Sequence, residues 1–361
     1  MKEIFEKITD RCLCGSGKKY VNCCKGKINP NENQVIHKKF MLYLDDLRRK
    51  YRKICLHPKS DECSYIKSHA HSISQKAVLN LIAERGEVLM PVVYGVTNEF
   101  RMKSMGVESK ATKFYCFCSK HDGMFYDIDK RDVYLDEYTF FLYAYRNFAA
   151  TYYKVVRELD CFTKLKKKYD INFNPYAVFM NGEMKKSIPA LEGIKKKFDD
   201  SILTNKYDCL ESIYLTLDYR VYFAASTCFD LMFDILGNRI EHAKYDLPMV
   251  YISIIPQEQR TQIIFSWFKE DNSLYGFLKE QLKIVPTRYV LKYLNNLLTL
   301  NCENMTVAPI LWRHWSADAQ NEFLKLGSRH LINENIKNHS YSYFETRNFN
   351  LFERIYKFNI E

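Results

Sequence analysis

The sequence predicts an α+β protein. Short β-branched and aromatic runs gather within residues 211–268, helical periodicity dominates before and after them, and no strand–helix–strand alternation links the two. The chain's 361 residues exceed the usual size of one core, so two folded domains with a small appendage are expected. Cysteine placement suggests the divisions: a knuckle over 1–30, a basic helix with a second zinc unit over 31–135, and an α+β domain over 136–361.

The knuckle comes first. In "RCLCGSGKKYVNCC", residues 11–24, Cys12 and Cys14 face the adjacent pair Cys23 and Cys24 across a turn loosened by Gly15 and Gly17. Four thiolates so close in sequence suit tetrahedral Zn²⁺, which needs no apolar core around it. A phosphate loop is excluded, because Lys19 stands where Ser or Thr should follow Lys18.

"CLCGSGKKYVNCC" resembles the SEC-C motif, the short zinc module of the SecA translocation ATPase that also occurs as an appendage on many bacterial proteins. The resemblance covers thirteen residues. It implies a zinc-bound contact module for protein or ribosome surfaces and no enzyme activity.

Residues 31–135 follow. "NQVIHKKFMLYLDDLRRKYRKI" spaces Val35, Ile36, Phe40, Leu44, Leu47 and Tyr51 as one helical face and leaves Arg48, Arg49 and Arg52 mostly elsewhere. Through residue 60 there are 15 Lys and Arg against 6 Asp and Glu, with 39 against 37 thereafter. A basic head on a near-neutral body suits an anionic partner such as nucleic acid or ribosome, with Lys18 and Lys19 among its cations. Beyond it, Cys55 and Cys63 form one ligand pair and Cys118-x-x-His121 another, so a second zinc ion would tie the two segments together. Cys116 and His57 compete as ligands, Cys116 sharing a strand face with Cys118.

The order Cys, Cys, His-x-Ile-Ser, then Cys-x-x-His-Asp resembles, loosely, the HNH or His-Me finger nucleases. That resemblance implies a treble-clef or HNH-like zinc unit, a general base at His71 with His69 as competitor, and Asp122 where the family usually has His. It also implies Mg²⁺ or Mn²⁺ on the scissile phosphate. The chemistry is sound, since a neutral imidazole activates water and a carboxylate holds a hard cation. Lys110 and Lys113, with Arg101 and Lys103 on the same expected loop, could hold the phosphate backbone. No central Asn is identifiable within 74–113, so a zinc-dependent adaptor without catalysis stays open beside the nuclease. By analogy, a knuckle appended to a nuclease-like body fits a phage-defence effector.

Between the ligand pairs, Ala77, Leu79, Leu81 and Ile82 predict a short helix ended by Gly86, and Val88 to Val96 a strand. Asp136 caps a long aromatic helix, and Ser316 caps a late one. Trp312 and Trp315 read as packing at a helix junction, and neither G-x-S-x-G nor H-E-x-x-H occurs. The acidic N-terminus lacks a leader's apolar core, and no run of some eighteen uncharged apolar residues marks a membrane span, so a cytoplasmic protein is expected. In that reducing compartment the 12 cysteines read as thiols or ligands.

Overall fold

A computed structural model describes residues 42–65, 70–94, 99–130, 133–168, 175–241, 247–329 and 341–355. They divide into two compact units. The smaller takes the chain up to Arg52 and Tyr152–Gly193; the larger takes Lys53–Tyr94, Glu99–Thr151 and Ile194 onward.

In the larger unit, a hairpin of β1 (Glu87–Tyr94) and β2 (Glu99–Gly106) precedes a helical turn α1 (Ser119–Asp122) and the long α2 (Glu137–Lys168), which begins here. Next come α3 (Pro175–Thr204), which finishes here, and the strands β3 (Leu210–Leu217), β4 (Phe223–Phe229), β5 (Val250–Pro256) and β6 (Thr261–Phe268). The chain closes with α4 (Phe277–Ile284), α5 (Thr287–Asn301), β7 (Met305–Val307), α6 (Pro309–His314) and α7 (Ala317–Arg329). All seven strands form one antiparallel sheet in the order β2-β1-β7-β4-β5-β6-β3. Helices and strands are segregated, so the fold class is α+β as the sequence predicts.

The sheet's centre is apolar on both faces, which is why "VYISIIP" and "TQIIFSWF" read as continuous runs. Every residue of β5 and β6 is buried. Phe198 of α3 is the hub of an aromatic cluster over them, its ring centroid 5.6 Å from Tyr251, 5.1 Å from Phe268 and 5.5 Å from Phe141 of α2. A polar pin fixes how α2 lies on the sheet. Asn147 Nδ2 donates to the Thr227 carbonyl at 3.2 Å and to the Ile252 carbonyl at 3.1 Å, so a buried amide crosses β4 and β5 with its donors satisfied.

Several local expectations change. The segment read as a short helix is a π-turn, Gln75–Leu79, running into Asn80–Ile82; it stops before Gly86 because Ala83 is already extended. Arg85 and Gly86 then supply the positive φ of the turn into β1, 49° and 76°. Arg101 and Lys103, expected on a loop, lie on β2, where pairing with β1 orders the backbone. Both predicted caps form. The Thr139 N–H donates to Asp136 Oδ1 at 2.8 Å, and the Ala319 N–H to Ser316 Oγ at 3.2 Å. Trp312 and Trp315 pack with Phe323, and Trp315 also with Phe349. Among the described residues, no helix is long and apolar enough to cross a membrane.

In the smaller unit, the helix over 42–49 buries Leu44, and Tyr51 packs edge-on to Tyr153 with centroids 5.8 Å apart.

Candidate metal centre and the polar cluster beside it

Two irregular segments build the centre. The Ile54 and Leu56 N–H groups donate to the carbonyls of Tyr115 and Cys116 at 3.1 and 2.9 Å, which lays 54–56 alongside 115–116. A 3₁₀ turn at Ser60–Glu62 returns Cys63 to Cys55, its N–H donating to the Ser60 carbonyl at 3.3 Å. Cys118 sits at the N-cap of α1, so Cys118 and His121, three apart, share a face of that turn.

The result is a convergence of ligand atoms. Those of Cys55, Cys63, Cys118 and His121 all lie within 4.8 Å of one another. His121 Nδ1 is 3.4 Å from Cys55 Sγ, 3.6 Å from Cys63 Sγ and 3.3 Å from Cys118 Sγ. With Zn–S at about 2.3 Å and Zn–N at about 2.0 Å, a tetrahedral angle puts sulfur and nitrogen about 3.5 Å apart. Three edges of a zinc tetrahedron are thus already at length, and three soft thiolates with one imidazole are a zinc donor set. These four residues could hold a zinc ion.

The electrostatics agree. Burial raises the Cys118 thiol, but the His121 backbone N–H aimed at its sulfur and hydrogen bonds from Ser64 outweigh that and bring it down to about 7. Cys63 is pushed up to about 12, by desolvation first and then by Cys55. Thiols this close oppose each other's ionisation, and a divalent cation at the centroid is what lets all three ionise together. Since Nδ1 faces the sulfurs, the His121 proton belongs on Nε2. That nitrogen is buried with no hydrogen-bond partner among the described residues, and the ring stacks on His57 with centroids 3.8 Å apart and planes within 6°.

Neither competitor joins. His57 supplies the stacked ring, and its Nδ1 accepts from the Lys59 N–H at 3.3 Å. Cys116 does not share a strand face with Cys118, because 115–118 forms no strand; its thiol is wholly buried and burial raises its pKa well above the usual range.

A second cluster adjoins the first. The Phe114 N–H donates to the Ala70 carbonyl at 3.1 Å and the Ser72 N–H to the Thr112 carbonyl at 3.0 Å, which seats His71 opposite Lys113. His71 Nδ1 lies 3.0 Å from the Ala111 carbonyl, and a carbonyl only accepts, so the proton is on Nδ1 and the Nε2 lone pair is left. Burial, then the Lys113 charge, lowers its pKa to about 4 and keeps the ring neutral at pH 7. Asp122, the last residue of α1, is half-buried, and desolvation raises its carboxyl against the pull of Arg146. Arg146 forks onto Asp129 with contacts of 2.8 and 2.9 Å, and its guanidinium lies 4.4 Å over the Phe125 ring.

The Arg146 charge pulls both His71 and Asp122 downward. Sequence reasoning passed over that arginine. Its signal was a lone charge in the apolar run "TFFLYAYRNFAA", where burial demands a partner. No second group of three or more candidate ligands occurs among the described residues.

The expected nucleic-acid contacts fare unevenly. Arg48 is paired within the protein: Nη2 and Nε bind Glu158 at 2.6 and 2.9 Å, and Nη1 binds Asp45 at 3.2 Å, so its donors face protein acids. The helix face that reads as solvent-exposed carries a buried acid's counter-ion. Arg49 is exposed and 3.5 Å from Asp46, Arg52 and Lys110 are exposed, and Lys113 is half-buried. Cys12, Cys14, Cys23, Cys24, Lys18, Lys19 and His69 lie outside the described residues.

Compared with known families, residues 9–25 match the SEC-C motif, which agrees with the knuckle read from its cysteines. The HNH resemblance gains no support: the hairpin between the ligand pairs is the margin of a seven-stranded sheet, and no curated protein or solved structure matches the chain.

Proposed function

We propose that this protein acts on nucleic acid. Zinc held by Cys55, Cys63, Cys118 and His121 braces the segment carrying Asp122 and Asp129, and His71 serves beside it as general base for phosphodiester hydrolysis. The observation that carries this reading is the His71 ring. It is fixed through Nδ1 by a backbone carbonyl, kept neutral by its surroundings, and left with a lone pair on Nε2, as a base that activates water requires. Asp122 supplies a carboxylate in the same neighbourhood, where it would orient that water or hold a hydrated Mg²⁺ or Mn²⁺. The SEC-C motif would deliver this body to a ribosome, a nucleic acid or a protein partner.

Purified, zinc-loaded protein should cleave one of plasmid, single-stranded DNA or RNA when Mg²⁺ or Mn²⁺ is supplied. His71→Ala should slow cleavage by roughly 10²–10⁴-fold, the usual contribution of a positioned base, with zinc content unchanged. Cleavage that survives this substitution would remove His71 from the role. A second reading, a zinc-dependent adaptor, is favoured by the basic head and by the SEC-C match at residues 9–25. It predicts binding without cleavage.

A further inference from the structure

We infer that Arg146 is the anion-binding residue of the His71 centre, and that Asp129 occupies its fork as an internal stand-in for a nucleic-acid phosphate. The inference takes its ligand from the reading above, but its test does not depend on cleavage.

Five observations converge. The partners are unequally placed, for the Arg146 side chain is 4% exposed and that of Asp129 is 40% exposed. The acid can turn into water while the cation stays. A phosphate offers the same paired oxygens to a guanidinium as a carboxylate does, so the fork that takes Asp129 at 2.8 and 2.9 Å also suits a phosphate. Arg146 is not fully spent either: Nε is buried with no hydrogen-bond partner among the described residues, a donor that two carboxylate oxygens leave unmet.

The cation is also held still. Its plane lies over Phe125, and the next residue, Asn147, is hydrogen-bonded to the Thr227 and Ile252 carbonyls of the sheet. Asp129 by contrast is the last residue of the 3₁₀ stretch Gly123–Asp129, with the chain extended again at Lys130. Finally, the stretch Gly123–Asp129 that ends on the fork's acid lies against the turn Gln75–Leu79, which the chain enters four residues after His71. An ordinary tether between Asp129 and α2 explains the fork alone. It does not explain a buried cation keeping a spare donor.

The test is equilibrium binding to the zinc-loaded full chain, followed by calorimetry and by the His71 ring signals in NMR. Inorganic phosphate and a single-stranded dinucleotide are the two probes. The wild type should bind the dinucleotide saturably, Asp129→Asn should tighten it about tenfold by emptying the fork, and Arg146→Lys should weaken it about tenfold, because an ammonium lacks the paired donors. Asp129→Asn binding no better than wild type, or Arg146→Lys binding as well, overturns the inference. Binding of inorganic phosphate without the dinucleotide overturns the nucleic-acid assignment. Melting transitions and zinc content show whether each variant folds. Should Asp129→Asn not fold, the wild-type titration decides alone: a saturable His71 shift supports the inference and no shift overturns it. Phosphate binding without cleavage by any preparation strikes the hydrolytic reading and leaves Arg146 in this role.

Discussion

The centre of the sheet and the candidate metal centre belong to one compact unit and are held by opposite means. Every residue of β5 and β6 is buried, and their neighbours are aromatic. Across 53–65, by contrast, only Leu56 is buried, and the regular structure is a single 3₁₀ turn. Apolar area fixes the first region, while the second has too few apolar side chains to fold by burial. Its four converging ligand atoms could do that work instead by holding an ion, as in small metal-bound domains. Function can sit at such a place because its shape is set by a few bonds and its surface stays polar.

The largest expected effect breaks the comparison at its weak side. Cys118→Ser, or treatment with a strong chelator, should release the ion from the second centre and unfold 53–65 and the turn at Ser119–Asp122 while the sheet persists. A structural zinc site is worth on the order of 10 kcal/mol, far more than that segment's own packing supplies. Hydrogen exchange checks it: amides at 54, 56 and 122 should lose protection and those of β5 and β6 should keep it. Loss of protection across the whole sheet would mean that metal and core are one cooperative unit.

The converse variant attacks the strong side. Trp267, fully buried on β6, donates its indole N–H to Asn272 Oδ1 at 3.4 Å. Trp267→Ala should cost about 4 kcal/mol through lost contacts and a cavity, read as a lower melting temperature. Zinc content should hold until the sheet itself melts.

The smaller unit offers a third, electrostatic means. Glu158 has a side chain 5% exposed, paired with Arg48, itself one-third exposed at 33%. Burial raises this carboxyl and the Arg48 charge lowers it, and the net direction is below its ordinary 4.5. A depressed folded-state value means the stabilisation is complete above pH 4.5 and is lost as pH falls through the lower folded value. Arg48→Ala should cost about 2 kcal/mol at pH 7, less than a fully buried pair because Arg48 is partly solvated, and should flatten the acid limb of the stability curve.

These three means differ in how legible they are in the sequence. The sheet shows in "MVYISIIP" and "TQIIFSWF" because continuous burial leaves continuous apolar residues. The ligands Cys55, Cys63, Cys118 and His121 show because few residue types bind zinc and two of them sit in a C-x-x-H pair. The Arg48–Glu158 pair does not show, since its partners are 110 residues apart and only the fold brings them together. The Arg146–Asp129 pair, 17 residues apart, was not read as a pair either, although Arg146 stands as a lone charge in an apolar run. β2 reads as a loop because its outward residues, Arg101 and Lys103, carry the charges of a strand with a solvated face. β7 is three residues long and becomes a strand only by bridging β1 and β4.

The smallest effect sharpens the comparison at its border. Asp136 stands between the metal-held segment and α2, and it caps the helix reciprocally: its N–H donates to Thr139 Oγ1 and the Thr139 N–H donates to its Oδ1, both at 2.8 Å. Asp136→Ala should cost about 1 kcal/mol, the usual worth of such a cap. The informative quantity is the same cost measured again after chelation. If the start of α2 belongs to the sheet core, where Asn147 pins it, the cap keeps its worth when zinc is gone. If the first turn belongs to the metal centre, it frays on chelation and the substitution costs nothing. A thermodynamic cycle of wild type and Asp136→Ala, with and without zinc, therefore places the boundary between burial and coordination to within one helical turn.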